Sequence, residues 1–311
     1  MKLDNYFFER MSKDKLQDFY KLFKTRGKDI SLTHFEKKYR TTWTGKEYLG
    51  VIAYDLKRNP VGHICILPTL IEKDGKEYIS GQICDIVVHP SHKRKGVFEQ
   101  LIIEGIEIAK EEGLCFLYVC PNVNADPIFK KWGWLNVDNY KIYTFKTKCF
   151  PINKIANKFH LLQFQDLYIK GMLWILSKHK KKAFKNSVIE TGIGGMIRSQ
   201  DYIKYKNYTY NYISVINGFK IWWKIDDGLS IGDIERFEPS QLPKLFKTIR
   251  FLCFILGFHN FKIVTTNNTF IDNLLKDLYP SEKGNNVYFW DISSGIDFSK
   301  IKFMQADLNT F

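Results

Sequence analysis

The residues of this 311-residue chain best placed to do chemistry lie between Gly81 and Trp134. An apolar run, Ile83-Cys84-Asp85-Ile86-Val87-Val88, leads through His89-Pro90-Ser91-His92 into the basic turn Lys93-Arg94-Lys95-Gly96-Val97-Phe98, which opens a helix. A helix N-terminus carries unpaired N–H groups and about half a positive charge, so a tight Gly-containing turn feeding it can wrap a cofactor's pyrophosphate. Three consecutive cations add Coulomb attraction. The chemistry indicated is anion binding.

The elements that must position this turn are legible around it. Val97, Leu101, Ile102, Gly105, Ile108 and Ala109 form one helical stripe, with Glu99, Glu104, Lys110 and Glu111 elsewhere and Gly113 as the stop. A strand Cys115–Cys120, the loop Pro121-Asn122-Val123-Asn124, a short helix Ala125–Trp132 and Gly133-Trp134 follow. Upstream, Ser12 caps a helix reaching Thr25, stopped by Gly27, and a second helix spans Leu32–Arg40. Strands are expected at Glu47–Asp55, Val61–Leu70 and Glu77–Val88, the last two joined by a turn at Lys73-Asp74-Gly75-Lys76.

In this order of parts and in its motifs, the first half of the chain resembles the GNAT superfamily of CoA-dependent N-acyltransferases. The family's phosphate loop, Arg/Gln-x-x-Gly-x-Gly/Ala, corresponds to Lys93-Arg94-Lys95-Gly96-Val97-Phe98. Lysine replaces the first residue there, and Phe98 replaces a small one. The family's Asn…Ala…Tyr-x-x-x-Gly-Phe element corresponds to Asn124-Ala125…Phe129-Lys130-Lys131-Trp132-Gly133-Trp134, with Phe129 in place of the tyrosine that often acts as general acid.

The resemblance implies an α/β (α+β) fold: a mixed, mostly antiparallel sheet flanked by helices. Its fourth and fifth strands splay, and the pantetheine of acetyl-CoA or another acyl-CoA pairs with the backbone of Ile86, Val87 and Val88. Lys93, Arg94, Lys95, Gly96, Val97 and Phe98 would hold the pyrophosphate, with Asn124 and Phe129 completing the cofactor site. A backbone N–H would polarise the thioester while a base or ordered water deprotonates an amine. Asp85 is the candidate catalytic base, or else a salt-bridge partner; Gln82 and His89 are the alternatives. His63, alone in a strand, is expected to be structural.

The second half repeats the order more weakly, with strands at Tyr210–Ile216, Phe219–Ile225 and Leu229–Arg236, a helix near Ser240–Leu256, a strand Phe261–Val264, a helix near Phe270–Leu278, and strands near Val287–Asp291 and Ile301–Phe303. Its counterpart of the phosphate turn, Arg236-Phe237-Glu238-Pro239-Ser240, lacks glycine and carries an acid, which implies a GNAT-like fold without its own CoA. The expected organisation is a CoA-binding domain over 1–148, a helical connector over 149–200 and a degenerate GNAT-like domain over 201–311. Gly192-Ile193-Gly194-Gly195 is expected to be a hinge.

Hydrophobic content of 45% and aromatic content of 16% exclude a disordered chain. The net charge of +14 is mostly diffuse lysine; its densest run, Lys178-His179-Lys180-Lys181-Lys182, follows an amphipathic segment containing Phe159, Leu162, Leu167, Met172, Trp174 and Ile175. Such a pair is a solvated face of a packed inter-domain helix or a membrane-surface contact. No nucleic-acid motif accompanies it. The six cysteines form no C-x-x-C pair, so neither disulfide nor metal is expected, and Cys120 is expected to be a core thiol. With no signal peptide or membrane span, a cytoplasmic protein is expected. The resemblance implies a small-molecule amine as acceptor, an amino sugar of bacterial surface-polysaccharide assembly being the leading candidate. The competing classes are a non-catalytic CoA-binding or CoA-sensing protein and, on net charge alone, a basic module that binds nucleic acid or a membrane surface.

Overall fold

The computed structural model describes residues 3–27, 30–149, 162–176 and 183–311. Phe159 and the Lys178–Lys182 run lie outside them, as does the side chain of Leu162. The chain divides into two compact units, Met1–Val137 with Asn285–Lys300, and Asp138–Gly284 with Ile301–Phe311.

In the first unit β1 (Tyr6–Arg10), β2 (Gly50–Asp55), β3 (Pro60–Lys73) and β4 (Lys76–Val88) are antiparallel neighbours. β5 (Phe116–Val119) then pairs parallel to β4. Side-chain alternation explains why β2 to β4 are apolar on both faces. Val51, Ala53, Ile64 and Ile66 turn to one core, shared with Val97, Leu101, Ile102 and Ala109 of helix α3 (Val97–Glu111). Ile52, Tyr54, Cys65 and Leu67 turn to the other, shared with Leu16, Phe19, Leu22 and Phe23 of α1 (Leu16–Lys24) and Phe35 and Tyr39 of α2 (Leu32–Tyr39). Ser31 caps α2 by accepting a hydrogen bond from the His34 amide at 3.2 Å. α3 sits close to the sheet because β3 carries Gly62, where a Cβ would lie 2.9 Å from Val97 and 3.0 Å from Leu101. A short helix, α4 (Asp126–Lys131), follows β5.

The second unit recapitulates this order. β8 (Asn211–Ile216), β9 (Phe219–Asp226) and β10 (Gly228–Ile234) are antiparallel neighbours, α7 (Leu242–Leu256) follows, and β11 (Asn260–Thr266) pairs parallel to β10. α8 (Phe270–Leu275) comes next. The unit also contains α5 (Leu162–Leu176), the two-residue strand β7 (Gly195–Met196) and α6 (Gln200–Tyr205).

The antiparallel neighbours of the two parallel strands come from opposite halves of the sequence. β5 is completed by β12 (Glu282–Asp291), with Tyr288 opposite Val119 and Phe289 opposite Tyr118. β11 is completed by β6 (Leu135–Lys146), with Ile263 opposite Tyr143. The partition therefore departs from the linear division at 148 and 200, because each last strand finishes the sheet of the other half. The described residues between 149 and 200 do not form a separate connector: Met172, Leu173 and Leu176 of α5 pack on the core of the second unit. The helix is turned so that Leu167 and Trp174, two apolar residues of the amphipathic segment, are both 67% exposed. Gly194, in the expected hinge, accepts a hydrogen bond from the Lys302 amide at 2.9 Å. The expected final strand at 301–303 is an isolated bridge to Gly194.

A consequence concerns residues 1–148 alone. That fragment loses Asn285–Asp291, hence the strand beside β5 and the buried rings of Tyr288 and Phe289. Each lost apolar burial costs about 1.5–3 kcal/mol and the unpaired edge invites association. The fragment is expected to aggregate or melt well below the full chain, and appending Asn285–Lys300 through a flexible linker should restore a monomer. A 1–148 monomer melting with the full chain would contradict the strand exchange.

Candidate active site

β4 and β5 pair only from Ser80–Phe116 to Gln82–Tyr118. β5 then ends at Val119, while β4 continues to Val88. On one edge Val87 and Val88 pair with His63 and Gly62 of β3; the other edge has no strand partner among the described residues. A cleft of about 470 Å³ opens there, lined by Ile86, Val87 and Val88 on one side and Asn122, Asn124, Ala125 and Ile128 on the other. Its floor is the basic turn. Lys93 and Arg94 face the cleft, Arg94 in the left-handed region (φ 60°) and Gly96 likewise (φ 81°). These two reversals deliver the chain into α3, whose N-terminus receives no side-chain cap. Cationic side chains, an uncapped helix start and a position without Cβ fit a phosphate group.

Most of the predicted cofactor residues meet here: Ile86, Val87, Val88, Lys93, Arg94, Phe98 and Asn124 all line the cleft. Lys95 is exposed and Gly96 shapes the turn without lining it. One expectation is corrected: Phe129 is fully buried, ring-to-ring with Trp134 at 5.1 Å and Phe98 at 6.3 Å. The side chain of Val97 is buried against Gly62, so what this residue can offer a cofactor is its backbone N–H, the first of α3. Both belong to the apolar side of their helices, which packs on the sheet. Sequence reasoning missed Arg26, His92 and Glu99, which also line the cleft. Glu99 lies in the first turn of α3, so its side was recoverable from helical spacing; Arg26 arrives from the end of α1 and left no local signal.

Asp85 sits where β4 bulges, the register against β3 slipping between His63 and Cys65. Its φ is 48°. Lys38 donates to its Oδ2 at 2.6 Å and Tyr39 donates to the same oxygen at 2.9 Å. Burial opposes ionisation, but the Lys38 charge and the two donated bonds outweigh it and hold the carboxyl below its ordinary range. A carboxylate so engaged is a weak proton acceptor. His63 is buried beneath the Phe19 ring, centroids 4.1 Å apart, and its Nδ1–H donates to the Asp85 carbonyl at 3.2 Å. Burial pushes its pKa down to about 4, so the ring is neutral. Gln82 is buried within β4, and His89 closes its own turn by accepting from the Ser91 amide at 3.3 Å. Cys120 is half-buried after β5. His92, in the cleft, bonds the Tyr6 hydroxyl at 3.0 Å; burial and the Lys95 charge lower its pKa, which favours the neutral ring.

A family profile described as an acetyltransferase (GNAT) domain matches residues 8–136. Over that span the chain is matched to the GNAT acetyltransferase family, and the matched region is called the GNAT domain below. The family's chemistry is acyl transfer from CoA. The chain is similar in fold to three solved structures. One is a probable N-acyltransferase from Enterococcus faecalis, with TM-score 0.59 and 12% identity over 93% of this chain and 72% of that one. The others are GCN5-related N-acetyltransferases from Kribbella flavida (TM-score 0.58, 11% identity, 92% and 72%) and Anabaena variabilis (TM-score 0.58, 13% identity, 91% and 72%). No curated protein matches the sequence. No helix among the described residues is long and apolar enough to cross a membrane, and among them no cluster of three or more His, Cys, Asp or Glu is placed to hold a metal.

Against the GNAT domain, the second unit differs at both features of the cleft. Its counterpart of the phosphate turn enters α7 with Pro243 in the first turn, removing a backbone donor where the GNAT domain offers several. β10 and β11 also part after a short parallel pairing, Leu229–Phe261 to Ile231–Ile263. Beyond that point the chain's own segment Ile301–Phe311 is bound to both strands. Thr265 forms an antiparallel bridge with Met304, and the Thr266 amide donates to the Phe303 carbonyl at 3.0 Å. The Phe311 ring lies so close to Gly232 that a Cβ there would be 2.1 Å from it.

Proposed function

We propose that this chain binds one acyl-CoA in its GNAT domain and transfers the acyl group, acetyl in the simplest case, to a primary amine. The observation that carries the proposal is the cleft where β4 outruns β5, floored by an uncapped helix start and two cationic side chains. In this reading Lys93, Arg94 and the turn around Gly96 hold the pyrophosphate. The unpaired edge of Ile86 to Val88 receives the pantetheine arm, with Asn124 across the cleft. The second unit, its own divergence filled by Ile301–Phe311, holds no CoA. CoA supplies the activated thioester; the protein orients it, donates a backbone N–H toward its carbonyl and excludes water from the arm.

Amines have pKa values near 10, so deprotonation of the acceptor is the requirement. Asp85 is engaged with Lys38 and Tyr39, and Phe129 has no hydroxyl to give a proton, so an ordered water takes the proton and no side chain serves as acid. The profile of kcat/KM is then expected to rise through one ionisation and stay level at high pH. An amino sugar is the acceptor to test first, in the cytoplasm.

Release of free CoA thiol from acetyl-CoA, followed with 5,5′-dithiobis reagent across a panel of amino sugars, polyamines and peptides, tests the proposal. Turnover with at least one amine supports it. The engaged state of Asp85 favours a second reading, a CoA-binding sensor, and binding without turnover on any amine would select that instead.

A further inference from the structure

A left-handed backbone is disfavoured for aspartate and persists where its surroundings over-determine it. In β4 only Asp85 adopts it. Three bonds from two other elements converge on this residue: Lys38 Nζ and Tyr39 Oη, both from α2, on Oδ2, and His63 Nδ1 from β3 on the main-chain carbonyl. Lys38 is itself buried, its side chain 6% exposed, and Phe19, Phe23 and Phe35 wall the cluster from water. The next residue along the strand is Ile86, the first of the three that line the cleft.

We propose that Lys38 is a positioning residue for acyl-CoA, its ion pair with Asp85 clamping the β4 bulge so that the backbone of Ile86 to Val88 presents its unpaired edge to the cleft. The inference rests on the cleft being the acyl-CoA site. It assigns the charge on Asp85 to shaping the strand rather than to proton transfer.

The clamp has a pH signature. The groups facing the carboxylate are Lys38 and Tyr39 of α2, His63 and Cys65 of β3, and the adjacent Cys84. With Lys38 present, Asp85 is ionised throughout pH 6–8 and contributes no pH dependence there. In Lys38→Met the ionised carboxylate is buried without its cation, so its neutral form is favoured. The bulge should then be distorted where Asp85 is charged and relax as falling pH protonates it.

CoA binding to the full chain, measured calorimetrically at pH 6 and pH 8 with folding checked by circular dichroism, tests this. Lys38→Met is expected to weaken binding roughly tenfold at pH 8 and less at pH 6. Adding Asp85→Asn should restore affinity to within about twofold and abolish the pH dependence, since an amide needs no counter-charge. A Lys38→Met protein that binds like wild type, or whose loss is equal at both pH values and unrescued, overturns the clamp. If Lys38→Met does not fold, Tyr39→Phe takes its place. That variant keeps the ion pair, loses one donor and should weaken binding a few-fold; unchanged affinity overturns the clamp. Asp85→Asn losing turnover with CoA affinity intact would make Asp85 the catalytic base and overturn it as well. Wild-type protein without affinity for CoA would instead overturn the site and the clamp together.

Discussion

Gly96→Asp is expected to abolish CoA binding while leaving the fold intact. Gly96 has φ 81°, and a Cβ there meets only Leu3, at 3.4 Å, so the folded state pays for left-handed geometry and little else. That strain is about 1–2 kcal/mol. Binding suffers far more, because the new carboxylate competes with the cofactor's phosphates for the N–H groups opening α3 and repels them. Loss of two hydrogen bonds to a charged group, at about 1.5–3 kcal/mol each, corresponds to a hundredfold or greater loss of affinity. Gly96→Ala, which adds the strain without the charge, should weaken binding much less. Equal affinities for wild type and Gly96→Asp would remove the assignment of the turn as a phosphate cradle.

Arg198→Met should produce the largest loss of stability. Arg198 is buried in the second unit between Asp233 and Asp307, with Nη2 2.9 Å from Asp307 and Nη1 bonded to Asp233. It ties the Ile301–Phe311 segment to β10. Burial opposes its charge, but the two carboxylates hold the guanidinium protonated. Without it, Asp233 keeps its bonds from Ser187 and Asp307 keeps the Met304 amide at 2.8 Å, yet two buried carboxylates face each other without a cation. Removing one partner of a buried ionic cluster costs about 3–5 kcal/mol. Burial already raises the pKa of Asp307 and the Arg198 charge works against that rise, so in the variant the penalty at Asp307 is full at neutral pH and falls as acid protonates it. Urea unfolding at pH 7.5 and pH 5.5 reads both effects. A loss below about 1 kcal/mol would mean that the segment is not anchored in the divergence of β10 and β11.

How far the sequence reaches is clearest from particular residues. The order of strands and helices in the GNAT domain is legible because its apolar runs are long, its helix stripe is clean and Gly27, Gly75 and Gly113 mark the turns. β1 is missed: Tyr6–Arg10 is five residues at a sheet edge, followed at once by polar residues that signal a helix start. The strand exchange is invisible to local pattern, since β6 and β12 have the same strand character whichever sheet they complete. What decides it is long-range packing, such as the rings of Phe289 and Phe116, centroids 6.1 Å apart. In the cleft, the basic turn is a local feature: Lys93 and Arg94, which line it, and Gly96, which reverses the chain, are close in sequence and legible together. Asp85 shows the opposite case, a carboxylate in an apolar run whose meaning depends on Lys38, 47 residues earlier. Phe129 carried a family expectation that its helix face overrules.

Calorimetric titration of the wild-type chain with CoA tests the central claim most directly. One cleft is open in the GNAT domain and its counterpart in the second unit is filled by Ile301–Phe311, so one equivalent should bind per chain. Two equivalents would place a working site in the second unit, and no binding would remove acyl-CoA from the account altogether.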